Sequence, residues 1–128
     1  MKKKKNKQEV KKVIWYKPST WHFRNNTVRK TKEVKLHPSL VVGETETDFI
    51  NVGLTTKEKR GHHKNIKLSR NPDPRNKKDA YIRDDIEEHN KNALKQKLNH
   101  FRKLPQEDVE KVQKVINKKR NNQRGGSH

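Results

Sequence analysis

With 128 residues, of which 26% are hydrophobic and 38% charged, the chain has room for one domain with a small core. Its formal net charge of +19, from 34 Lys and Arg against 15 Asp and Glu, points to a polyanionic partner: nucleic acid first, an acidic protein second, an anionic membrane surface last. The absence of cysteine excludes disulfides and thiolate zinc sites. No apolar run nears the roughly 18 residues of a membrane span, and none follows the N-terminal lysines as a signal peptide requires, so a cytoplasmic protein is expected.

Residues 1–12, MKKKKNKQEVKK, form a basic arm without apolar periodicity and are expected to be disordered, either as a solubilising tail or as a nucleic-acid contact arm. The domain is expected over residues 13–120. A tail follows at 121–128, whose GGSH end reads as a linker running into a histidine tag. The first elements read as strands. VIWY at 13–16 is β-branched and aromatic, and Pro18-Ser19-Thr20 breaks it. In WHFRNNTV at 21–28, Trp21 and Phe23 alternate onto one face, while Asn25-Asn26 suits a turn. Leu40–Val42 and Phe49–Val52 are the best strand candidates, linked by a turn at Gly43–Glu46. NIKLS at 65–69 alternates Ile66 and Leu68 with polar neighbours, NPDP at 71–74 must be a loop, and Tyr81-Ile82 makes one more short strand. The charge run RDDIEEHNK at 83–91 reads as a solvated face.

Helical spacing then takes over. Ala93, Leu94, Leu98 and Phe101 predict one helix. A second begins at Pro105, with Glu107 and Asp108 in its first turn, a stripe of Val109, Val112 and Ile116, and Lys118-Lys119-Arg120 towards its C-terminal end. Short strands followed by helices give a mainly β, α+β domain: a small curled sheet or barrel with C-terminal helices.

The segment HPSLVVGETETDFINVGLTT, residues 37–56, is the least charged part of the chain and is bracketed by His-Pro and a threonine pair. This arrangement resembles the MazF/PemK-like toxin family, in which a basic residue precedes proline and an apolar strand, and a second apolar strand ends in Ile/Leu-Thr. The corresponding residues are His37-Pro38-Ser39-Leu40-Val41-Val42 and Asn51-Val52-Gly53-Leu54-Thr55. Ala80-Tyr81-Ile82-Arg83-Asp84-Asp85-Ile86 is similar to the family's QIRT-like segment, and Leu104–Asp108 with the Val109 stripe to its C-terminal helix. Two departures stand out: the family's arginine before proline is His37 here, and no glycine-acid pair precedes Val13.

The resemblance implies an SH3-like barrel and a ribosome-independent, metal-independent endoribonuclease of a toxin–antitoxin system. No cofactor is implied. The implied partners are RNA, an acidic antitoxin protein or antitoxin RNA, and a second copy in a homodimer. Carried over by residue, His37 and Thr55 converge on the scissile phosphate, and Arg60 stands in for the missing arginine. Histidine, with an unperturbed pKa of about 6.5, exchanges protons near neutral pH more readily than arginine. The competing reading makes His37 a plain strand-edge histidine and Thr55 a strand-ending β-former.

KEKRGHHK at 57–64 reads as a flexible basic loop turning at Gly61, with Lys57, Lys59 and Lys64 available to phosphates, or simply as a solvated loop. His62-His63 lacks acidic or cysteine partners at metal-ligand spacing. Trp15, Tyr16, Trp21 and Phe23, interleaved with Lys17 and Arg24, offer stacking for unpaired bases; in so small a domain, core packing is the favoured role. Trp15 and Lys17 are the RNA-contact candidates among them. A catalytically silent module that binds nucleic acid or an acidic protein by charge is the competing reading.

Overall fold

The computed structural model describes residues 12–30, 33–91, 97–98 and 102–125. The basic arm over 1–11, residues 92–96 and 99–101 of the expected helix, and the tail end 126–128 lie outside the described residues.

The architecture is mainly β with one C-terminal α-helix. Among the described residues, ten strands run in order: β1 (Ile14–Trp15), β2 (His22–Lys30), β3 (Glu33–Glu44), β4 (Asp48–Thr55), β5 (Lys59–Arg60), β6 (His63–Lys64), β7 (Ile66–Lys67), β8 (Tyr81–Ile82), β9 (Glu87–Asn90) and β10 (Lys97–Leu98). A 3-10 turn covers Pro18–Thr20, and helix α1 covers Gln106–Gly125. The main sheet is antiparallel, in the order β10-β2-β3-β4-β8-β7. β1 takes the far end of β3, and β9 pairs with β4 beside β8. Among the described residues no pairing joins β7 to β10, so the sheet curls without closing into a barrel.

The centre is the β3–β4 pair. Leu40 is opposite Val52 and Val41 opposite Asn51, and a bulge then shifts the register between Val41 and Gly43. Alternation sends Leu40, Val42, Ile50 and Val52 into a core shared with Trp21, Phe23, Leu68, Ala80, Ile82 and Ile86. Helix α1 caps this face through Val112, Val115 and Ile116, each under 4% exposed. Burying three such side chains contributes roughly 1.5–3 kcal/mol apiece.

Several expectations need correction. Asn25-Asn26 makes no turn: both residues lie within β2, opposite Pro38 and His37, because a long partner strand outweighs local turn preference. Within the helix expected over 92–101, the described residues Lys97-Leu98 form a strand edge on Asn25 and Arg24. The charge run at 83–91 contains β9, whose backbone pairs with Asp48–Asn51 while Ile86 enters the core. Its mostly exposed, charged side chains suit a strand at the side of a sheet. The helix at Pro105 opens one residue later: the Pro105 carbonyl accepts the N–H groups of Asp108 and Val109, both at 3.0 Å, so proline caps rather than starts it. The helix also continues to Gly125, past the expected domain limit at 120. NPDP is the expected loop, folded by side-chain turns in which Asn71 accepts from the Asp73 N–H and Asp73 from the Arg75 N–H.

Asp108 is more than a dipole-complementing residue of the first turn. It is wholly buried, and its carboxylate accepts the Ser69 N–H at 2.8 Å and the Ser69 hydroxyl at 2.9 Å, with Lys111 Nζ at 3.5 Å. This contact ties the loop after β7 to the start of α1. Truncation removes both bonds to Ser69 and leaves a cavity at a wholly buried position, so Asp108→Ala should lower the unfolding free energy by about 1–3 kcal/mol, measured by urea denaturation. Asp108→Asn, which keeps an acceptor, should cost less.

Candidate nucleic-acid interface

The face of the sheet turned away from α1 carries the polar residues. Ser39, Val41 and Asn51 are buried on it, and the Ser39 hydroxyl donates to Asn51 Oδ1 at 3.0 Å. The Asn51 amide in turn donates to the Phe49 carbonyl at 3.0 Å. This network satisfies polar atoms that would otherwise be costly to bury at the centre of a sheet.

Backbone register lays two neighbouring rows across this face. In the first, Arg24 on β2 is opposite Ser39 on β3, Ser39 is opposite Gly53 on β4, and the Arg83 N–H donates to the Gly53 carbonyl at 3.0 Å. In the second, Asn26 is opposite His37 and Thr55 is opposite Tyr81. His37 and Thr55 each lie two residues beyond the last β3–β4 pair, Ser39–Gly53, and are not themselves paired with one another. The β3–β4 ladder itself stops at Ser39, next to Pro38, which has no N–H to contribute. The side chains of His37 and Arg60 lie outside what the structure describes, so these two residues are located by backbone alone.

Thr55 is half-buried, and its Oγ1 accepts the Lys57 N–H at 3.1 Å, which leaves the hydroxyl hydrogen to donate. Beyond it, residues 57–64 are not a plain flexible loop. β5 and β6 form a short hairpin with Lys59 opposite Lys64 and Arg60 opposite His63, turning at Gly61 with φ +61°. Asn65 anchors its base, through its N–H to the Glu58 carbonyl at 2.8 Å and its amide to the Lys57 carbonyl at 2.9 Å. Lys57, Lys59 and Lys64 are exposed. Like charges directly opposite one another destabilise a hairpin, and a bound polyanion would relieve Lys59 and Lys64. Lys17 is exposed beside the 3-10 turn, while Trp15 is half-buried, packs on the core and carries the Arg120 guanidinium 5.8 Å from its ring centroid.

The arginine row was not singled out from the sequence. Its signal is the alternation in Trp21-His22-Phe23-Arg24, where two core aromatics leave His22 and Arg24 on the other face. Arg24 is held there. Its Nε donates to His22 Nε2 at 3.1 Å, and its guanidinium lies 4.9 Å from the Phe49 centroid. Lys91 approaches the same ring at 5.5 Å and donates to Glu44 at 2.9 Å, and the Tyr16 hydroxyl also donates to Glu44. Burial, then the bond to Glu44, pushes the Tyr16 phenol up to about 12, whereas Tyr16 and Lys91 together hold Glu44 below its usual range. A cleft of about 710 Å³ opens elsewhere, over Trp21, Phe23 and Leu40 between the 3-10 turn and α1, and shares no residue with the two rows. Among the described residues no three His, Asp or Glu side chains gather to hold a metal, and no helix is long and apolar enough to cross a membrane.

Searches of protein-family models, of curated proteins and of solved structures return no match to this chain.

His22 controls Arg24 through its protonation state. Arginine Nε only donates, so His22 Nε2 must accept, which makes His22 neutral with its proton on Nδ1, 3.3 Å from the Thr20 carbonyl. Burial lowers its pKa, and neighbouring Arg24 lowers it further against the bond to Thr20. A histidine whose folded pKa lies below its unfolded value binds fewer protons folded than unfolded in the window between the two. Its stabilising contribution is therefore complete above the unfolded value of about 6.5 and is lost as pH falls towards the folded one. Urea unfolding of the wild type should weaken across that window by more than unfolding of His22→Gln, which does not titrate.

Proposed function

We propose that the chain is a MazF/PemK-like endoribonuclease on an SH3-like scaffold, acting in the cytoplasm as the toxin of a toxin–antitoxin pair. The observation that supports this reading is that the β3–β4 ladder ends at Ser39–Gly53, two residues short of His37 on one strand and two short of Thr55 on the other, beside a row ended by two arginines in a strongly basic domain. Cleavage of single-stranded RNA by its own 2′-OH forms a bond from O2′ to phosphorus and breaks the bond to O5′. It leaves a 2′,3′-cyclic phosphate and a 5′-OH. One proton must leave O2′ and one must reach O5′. His37 moves one of these protons, and Thr55 donates its hydroxyl to a non-bridging oxygen. Arg60, one strand beyond, neutralises charge that develops on the phosphate. Lys57, Lys59 and Lys64 supply attraction along the strand, with Lys17 and the edge of Trp15 as further contacts. The natural inhibitor is an acidic antitoxin protein or an antitoxin RNA, and a homodimer would extend the groove.

The hairpin pair Lys59–Lys64 favours a second reading, a catalytically silent module that binds nucleic acid or an acidic protein by charge, because that pairing serves binding without chemistry. Incubation with total RNA in EDTA separates the two. Wild type should cleave RNA and leave DNA intact, since DNA has no 2′-OH. His37→Ala should slow cleavage by about 10²–10⁴-fold, the usual range for a positioned acid or base. Thr55→Val should cost less, having lost one neutral donor. Full activity in His37→Ala would move the proton-transfer role to another residue, and intact RNA with the wild type would leave the silent module.

A further inference from the structure

We infer that Arg24 and Arg83 form a two-point clamp for the phosphodiester backbone of a single nucleic-acid strand lying across β2, β3, β4 and β8. This deepens the RNA-binding part of the reading above and rests on it for the ligand, but it does not require cleavage. The two residues end one cross-strand row, Arg24–Ser39–Gly53–Arg83. Three strand spacings of about 4.8 Å separate their backbones, roughly 14 Å in all, a span that the arms of two arginines narrow. Between them Ser39 is buried and Gly53 is crossed by the Arg83 stem, so a sugar-phosphate chain would meet the two guanidinium forks rather than the sheet itself.

Each arginine is held by its stem with its fork left over. Arg24 uses Nε on His22 and lays its plane against Phe49, and its terminal nitrogens take no ion-pair partner among the described residues. Arg83 runs along Gly53: a Cβ built there would meet Arg83 Cδ at 3.0 Å, so glycine is what lets the stem lie flat. Its guanidinium likewise has no ion-pair partner among the described residues. Carboxylates bordering the row are already engaged, Asp84 by Lys118 at 2.8 Å and Glu87 by His89 at 3.2 Å. A planar fork with unsatisfied donors suits the paired oxygens of a phosphate better than any ammonium does. Fixing the stem beforehand removes much of the ordering cost of binding.

The test is fluorescence anisotropy of the intact chain with a labelled single-stranded 2′-O-methyl oligonucleotide, which lacks the attacking hydroxyl and so reports binding whether or not the protein is a nuclease. Arg24→Gln and Arg83→Gln should each weaken binding by about 10-fold or more and reduce the salt slope by roughly 0.7, the single-strand value for one phosphate contact. Arg24→Lys and Arg83→Lys, which keep charge and most of the stem, should recover only part of the loss. Arg83→Lys also guards against a folding defect in the glutamine variant, checked by matching thermal melts. Arg70→Gln, an exposed arginine outside the row, removes the same charge and should change affinity by less than about 2-fold. Equal losses in Arg70→Gln and the two row variants would overturn the clamp and leave net charge as the cause. So would undiminished oligonucleotide binding in the double variant, or binding of poly-glutamate alone with the same arginine dependence. Binding with the expected arginine dependence but no cleavage of ordinary RNA would uphold the clamp and remove the nuclease reading. Cleavage with arginine-independent binding would do the reverse.

Discussion

The antiparallel register of β3 on β4 is the constraint from which the rest of the structure follows. It places Leu40 against Val52 on the core side and leaves Ser39, Val41 and Asn51 buried on the other. A slip of one residue would exchange these faces, driving Asn51 and Ser39 into the core and the valines and leucine outward. The Ser39–Asn51 hydrogen bond opposes that slip from the polar side, and the apolar set opposes it from the core side. Because both faces of this pair are specified, every strand added to either edge inherits a fixed register. The row that joins Arg24 to Arg83 exists for that reason.

A chain with so little apolar material depends on polar anchors to complete its packing. The buried Asp108 carboxylate docks α1 on Ser69, and Asn65 closes the base of the basic hairpin. Glu44 collects Tyr16 and Lys91 around the Phe49 ring. Each anchor absorbs polar or charged atoms locally and leaves most lysines and arginines outside. The charge is thus spread over the surface of a small scaffold. The cluster of His22, Phe49 and Tyr16 has a second consequence, since it orients Arg24 before any ligand arrives.

Elements whose apolar pattern was strong were legible in the sequence: the two central strands, the short strands at Ile66 and Tyr81, the NPDP loop and the valine stripe of α1. Those governed by distant pairing were not. Asn25-Asn26 carries turn chemistry, yet it extends because β3 runs alongside it. Lys97-Leu98 has helical spacing around it, yet it pairs with β2, since an exposed strand edge offers hydrogen bonds that local periodicity does not reveal. Glu87–Asn90 looks like a solvated charge run and is a strand by backbone pairing alone, with its side chains largely in water.

The sequence by itself determined that the domain is small, basic and mainly β, that its best strands lie between His37 and Thr55, and that these two residues bracket them, because composition and alternation are local properties of the chain. Only the tertiary structure decided which residues share a row. Arg24 and Arg83 are separated by most of the sheet in sequence, and nothing in either segment predicts the other. They meet on one face because hydrogen-bonded register, a cooperative property of paired strands, fixes which residues of distant segments stand side by side.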